Sequence, residues 1–104
     1  MQDLNGQVVW ITGAGTGIGE SGALKLADAG CQIVLSGRRS EPLELVAQQI
    51  ANRGHAKPLI QPLDVSNKTD VQNTVNNILQ KLGKIDIAVF SAGINVRNRN
   101  WPAI

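Results

Sequence analysis

An apolar run, VVWI at residues 8–11, passes without a spacer into Thr12-Gly13-Ala14-Gly15-Thr16-Gly17-Ile18-Gly19. Nothing else in the chain restricts its fold as tightly. Glycines at alternate positions straight after a strand-like run mark a tight strand-to-helix turn, where the backbone needs dihedrals that a Cβ disfavours. The same bareness lets a diphosphate approach the main chain. The helix that follows would offer free N–H groups and the positive end of its dipole to that anion. A G-x-G-x-x-G pattern also occurs at Gly17-Ile18-Gly19-Glu20-Ser21-Gly22, but it begins past the strand and would place Gly22 inside the helix. The register that fits the turn is Gly13-x-x-x-Gly17-x-Gly19. A phosphate loop of the nucleotide triphosphatase type would close on Gly-Lys-Ser or Gly-Lys-Thr, and this run has neither.

The strand-then-helix arrangement repeats. Apolar runs begin at residues 8, 32, 57 and 85, the spacing of a strand plus a crossover helix. VVWI, IVL and IAVF are almost continuously apolar, as strands covered on both faces should be. The third run, KPLIQ at residues 57–61, carries Pro58 and reads as a short outer strand; the fourth spans 85–91. Helices are expected over 17–29, over 42–53 and over 68–82. In the second, Pro42 sits in the first turn and Leu43, Val46, Ala47 and Ile50 share one face. In the third, Val71, Val75, Ile78, Leu79 and Leu82 form one stripe, Gly83 ends it and Ser66 or Asn67 caps its start. The order β-α-β-α-β-α-β with right-handed crossovers predicts an α/β fold, a Rossmann-type doubly wound parallel sheet. One domain over residues 1–104 is expected, and an incomplete one, because the polar tail of residues 95–104 stands where a further helix should begin.

The end of the second strand speaks to the ligand. In dinucleotide folds an acid there usually accepts from the adenosine ribose and selects NAD. Here the strand ends Ser36-Gly37-Arg38-Arg39, so the acid's place falls near Gly37 and two arginines follow. A carboxylate would repel a 2′-phosphate, whereas guanidinium groups pair with one through directed hydrogen bonds. Arg38 is therefore expected to clamp that phosphate with Ser36 and Arg39 assisting, and NADP, with NADPH preferred over NADH, is the expected cofactor.

TGAGTGIG resembles the TGxxxGIG signature of the short-chain dehydrogenases/reductases. Asp64-Val65-Ser66 is similar to that family's Asp-Val element after the third strand, and Phe90-Ser91-Ala92-Gly93 stands where the family has Asn-Asn-Ala-Gly. The resemblance runs along the whole chain. It implies that Gly13, Gly15, Thr16, Gly17, Ile18 and Gly19 line the cofactor. It implies too that Asp64 accepts from the adenine amino group, that the Val65 backbone meets the ring, and that Ser91, Ala92 and Gly93 run along the ribose and nicotinamide. Phe90 and Ser91 replace two asparagines, which removes amide hydrogen bonds. Thr16 differs from the variant of the family in which a basic residue in the glycine loop also touches the 2′-phosphate, which leaves Arg38 and Arg39 to discriminate. Family members with this pattern generally use NADP(H).

In the family the chemistry belongs to a serine, a tyrosine and a lysine beyond the fourth strand, and this chain contains no tyrosine. The resemblance thus implies an oxidoreductase transferring hydride between cofactor and a small carbonyl or alcohol, in an oligomer. This chain would supply the dinucleotide-binding half and be inactive alone; a non-catalytic nucleotide-binding module is the other reading. No metal site is expected. A net charge of +2 gives no broad field for nucleic acid, no run approaches the length of a membrane span, and a polar start with a single cysteine suits the cytoplasm. His55 and Cys31 fall at the sheet edge opposite the glycine turn, Arg97 and Arg99 belong to a connecting loop, and Trp101 is expected in the helix after it.

Overall fold

The computed structural model of the chain describes residues 4–13, 17–64 and 66–90. Strand β1 (Val8–Thr12) is buried at all five positions, the condition that its unbroken apolar sequence requires. β2 (Gln32–Ser36) runs parallel along one side of it, with Trp10 opposite Val34 and Thr12 opposite Ser36. β4 (Ile87–Phe90) runs parallel along the other side, with Trp10 opposite Ala88, and the two-residue β3 (Leu59–Ile60) lies outside β2. The strand order is β3-β2-β1-β4. The chain therefore winds outward from β1 to β3 and then crosses back to the far side of β1. That reversal is the point at which open α/β sheets bind ligands, outside the carboxyl ends of the strands.

Successive strand residues point to opposite faces, and the two faces are covered separately. Val9, Ile11, Ile33 and Leu35 pack under α1 (Gly17–Asp28) and α2 (Ser40–Asn52), against Ala23, Ala27, Leu43, Val46, Ala47 and Ile50. Val8, Trp10 and Val34 pack under α3 (Lys68–Leu82), against Ile78 with Val71, Val75 and Leu82 around it. Asn67 caps α3 by accepting from Asp70 N, and Gly83 closes it at φ 82°, donating to Leu79 O at 2.8 Å. No helix among the described residues is long and apolar enough to cross a membrane.

Three elements depart most from expectation. β3 holds two residues rather than five. Pro58 has no N–H to give to a ladder, and Pro62 stops the pairing after Gln61 N donates to Leu35 O at 2.9 Å. The second helix starts at Ser40, which leaves Pro42 within a first turn whose N–H groups have no intrahelical partner. The fourth strand starts at Ile87 rather than residue 85, because a side chain takes over the ladder. Asp86 N donates to Val8 O at 2.9 Å while Val8 N donates to the Asp86 carboxylate at 2.7 Å.

That bond, followed by the bond from Lys84, holds the Asp86 carboxyl below its ordinary value of 3.8. A lowered folded-state pKa stabilises the fold above the unfolded value, and the contribution is lost as pH falls through the folded one. In thermal melts Asp86→Asn should lie below wild type at neutral pH, with the gap closing as pH drops below 3.8.

Among the described residues Trp10 is the largest fully buried side chain, and its indole N–H donates to Ser36 Oγ at 2.8 Å. Trp10→Phe removes that donor and leaves a gap, so a loss of about 1–3 kcal/mol is expected in urea denaturation. The double variant with Ser36→Ala should lose less than the two single losses together, because the pair is a unit.

Candidate functional site

The glycine turn leaves the sheet at the reversal point. Gly13 has φ 74°, a conformation open to glycine and strained for other residues, and its N–H donates to Ser36 O at 2.9 Å. The turn is thereby tied to the end of β2 as it departs from β1. α1 begins at Gly17, which is exposed, with no atom of the described residues within 4 Å of the place where a Cβ would go; Gly19 is buried. One glycine thus keeps the helix start open to an approaching group, and the other lies inside. Ile18 lies between them in α1, whereas Gly15 and Thr16 fall outside the described residues.

At the end of β2 one expectation needs correcting. Ser36 is fully buried, and its hydroxyl accepts the Trp10 indole. Alternation explains this: Ser36 is two residues beyond Val34 and points to the same covered face. Its hydroxyl is a core acceptor and not a surface partner for a phosphate. Gly37 follows, and a Cβ there would stand 3.3 Å from Leu43 Cδ2, so a side chain at this position needs the tip of Leu43 to shift by a few tenths of an ångström. Arg38 is open to solvent, its side chain 79% exposed. Arg39 is exposed too, with extended backbone at the N-cap of α2 and no capping bond from its side chain.

The segment leaving β3 is fastened to the end of β2. After Gln61, Leu63 N donates to Gly37 O at 2.8 Å. This brings Asp64 beside Arg38, with Oδ1 3.9 Å from Nη2. The same Oδ1 accepts from Ser66 Oγ at 2.7 Å and Ser66 N at 3.0 Å. These bonds, hydroxyl first, and the Arg38 charge hold the Asp64 carboxyl below the usual carboxylate range. Arg38, Pro62, Leu63, Asp64 and Asp70 line an open cleft of about 430 Å³. Asp70 is the residue that sequence reading missed. Its Oδ2 accepts from Asp64 N at 3.0 Å, which holds the loop in place. The available signal was its position three residues after the Asn67 cap, where a capping-box acid stands. Val65, Ser91, Ala92 and Gly93 fall outside the described residues.

The opposite sheet edge is structural. His55 Nε2 lies 2.8 Å from Asp28 Oδ1, and Arg53 pairs with the other oxygen of Asp28, tying the turn after α2 to the end of α1. The His55 bond is foremost in lowering the Asp28 pKa. Cys31 is half-buried, and burial, then Asp86, pushes its thiol up, away from the thiolate a nucleophile needs. Among the described residues no cluster of His, Cys, Asp and Glu could hold a metal.

Comparison with known proteins places this geometry. A family model described as short chain dehydrogenase matches residues 7–102. Dehydrogenase/reductase SDR family member 7 of Mus musculus is 38% identical over 99 residues, covering 92% of this chain and 29% of that protein. A crystal structure of a short-chain type dehydrogenase/reductase from Mycobacterium marinum superposes with a TM-score of 0.79 at 42% identity, over 83% of this chain and 34% of that one. The 3-ketoacyl-(acyl-carrier-protein) reductase of Brucella melitensis, solved with NADH, gives 0.73 at 38% identity, over 82% of this chain and 33% of that one. The chain spans about a third of the length of these relatives.

Proposed function

The chain belongs to the short-chain dehydrogenase family, and from that premise we propose that it forms the dinucleotide-binding half of an NADP(H)-dependent oxidoreductase. The observation that carries this reading is the meeting, at one sheet edge, of the open glycine turn after β1, the exposed Arg38 after β2 and the ionised Asp64 after β3. A packed surface needs none of these three together.

The residues present suit the cofactor. The backbone around Gly13, Gly15, Thr16, Gly17, Ile18 and Gly19, with the amino end of α1, receives the diphosphate, for which left-handed Gly13 and open Gly17 leave room. Arg38 pairs with the 2′-phosphate and Arg39 adds charge beside it. Asp64 accepts from the adenine amino group through Oδ2, since its described contacts fall on Oδ1. Val65 meets the ring, and Ser91, Ala92 and Gly93 follow the ribose and nicotinamide. When bound, the cofactor supplies or takes up a hydride at a small carbonyl or alcohol. The proton partner in this family is a tyrosine with a serine and a lysine. The sequence has no tyrosine, so these 104 residues bind and orient while the rest of the protein reacts, in a cytoplasmic oligomer.

Titration of the full chain with NADPH and NADH, followed by nicotinamide fluorescence, tests the assignment. NADPH should bind more tightly, and equal affinities would overturn the choice of NADP. The second reading is a nucleotide-binding module without catalysis. Turnover of any carbonyl substrate by the protein that carries this chain would exclude it.

A further inference from the structure

Arg38 has two anions to choose between: the 2′-phosphate of the proposed cofactor and the chain's own Asp64. The backbone builds this conflict in, because the bond from Leu63 N to Gly37 O fixes the start of the Asp64 loop one residue from Arg38. The two side chains nevertheless stand 3.9 Å apart, a charge contact longer than a hydrogen bond. The slack has a visible cause. Oδ1, the oxygen nearest Arg38, already accepts two hydrogen bonds from Ser66, and Asp70 holds the loop by accepting from Asp64 N.

We infer that Asp64 is an internal counter-ion that competes with the 2′-phosphate for Arg38, and that Ser66 weakens this competitor by occupying its nearer oxygen. Discrimination between NADPH and NADH is then set by Asp64 and Ser66 as well as by Arg38. The inference rests on the assignment of Arg38 to the phosphate. Without the Ser66 hydroxyl, Oδ1 loses its shortest donor and Arg38 closes on it with charge-assisted bonds that the phosphate must break. Without the Asp64 charge, Arg38 faces the phosphate alone. Both side chains are largely open to water, which screens the pair and keeps the effect modest.

The test is the ratio of NADH to NADPH dissociation constants, measured by calorimetry on the full chain. Asp64→Asn should raise this ratio about two- to fivefold, the scale of an exposed ion pair. Ser66→Ala should lower it by a similar factor, and Ser66→Thr, which keeps the hydroxyl, should restore it. In an Arg38→Gln background Asp64→Asn should leave the ratio unchanged, because nothing remains to compete for. Simple repulsion between Asp64 and the phosphate would persist in that background. A ratio unmoved by Asp64→Asn, or moved equally in both backgrounds, overturns the inference. Wild-type protein that binds the two cofactors alike overturns the phosphate assignment itself.

Discussion

Arg38→Asp is expected to reverse the cofactor preference, weakening NADPH roughly 10- to 100-fold while NADH affinity holds or improves. The loss has two sources. The guanidinium's directed bonds to the phosphate disappear, and the new carboxylate at residue 38 repels a 2′-phosphate directly. NADH escapes both penalties, and its ribose hydroxyls gain an acceptor of the kind that NAD-selective dinucleotide folds use. The substitution belongs at residue 38, which carries the guanidinium, rather than at Gly37, where a Cβ 3.3 Å from Leu43 Cδ2 would also require that side chain to shift. Dissociation constants for both cofactors decide the matter. A parallel loss of NADPH and NADH would show that Arg38 serves the fold or the diphosphate instead.

Gly13→Val should abolish binding of both cofactors, with affinity falling by roughly 100-fold or more. A β-branched residue at φ 74° is strained by about 1–2 kcal/mol, and relief of that strain moves the turn off the Ser36 carbonyl that anchors it. The added methyls also stand where the diphosphate has to reach the backbone. Gly17→Ala separates these causes. Among the described residues no atom lies within 4 Å of the new Cβ, and alanine favours the helix. Thermal stability should therefore be kept or raised while cofactor affinity falls. A Gly17→Ala protein that binds NADPH as tightly as wild type would remove the α1 start from the diphosphate site. Both variants should affect NADPH and NADH equally, which distinguishes them from any change at Arg38.

The elements most legible in the sequence are those whose determinants are local. α3 runs over Lys68–Leu82 as expected, because Asn67 and Gly83 mark its ends by their own hydrogen bonds and dihedrals. β2 likewise matches its apolar run over Gln32–Ser36. The boundaries that shifted depend on a second segment. β3 is short because Pro58 and Pro62 bracket its pairing with β2, and β4 starts late because Asp86 answers the main chain of Val8 with its side chain. Sequence alone points Ser36 at the cofactor, because the end of β2 is where ribose contacts occur in dinucleotide folds. Strand alternation turns its hydroxyl to the covered face, where it accepts from the indole of Trp10 on the neighbouring strand.

The sequence by itself determined the repeated strand and helix, the glycine turn that must follow the first strand, and the basic pair in the place of an acid. Each is written in a stretch of a few residues, through periodicity, capping and backbone freedom. The order β3-β2-β1-β4, the meeting of Arg38 with Asp64 and the support from Ser66 and Asp70 were decided only in three dimensions. Which strand lies beside which depends on how two faces of one sheet are covered together, and that requirement is met by residues far apart in the chain.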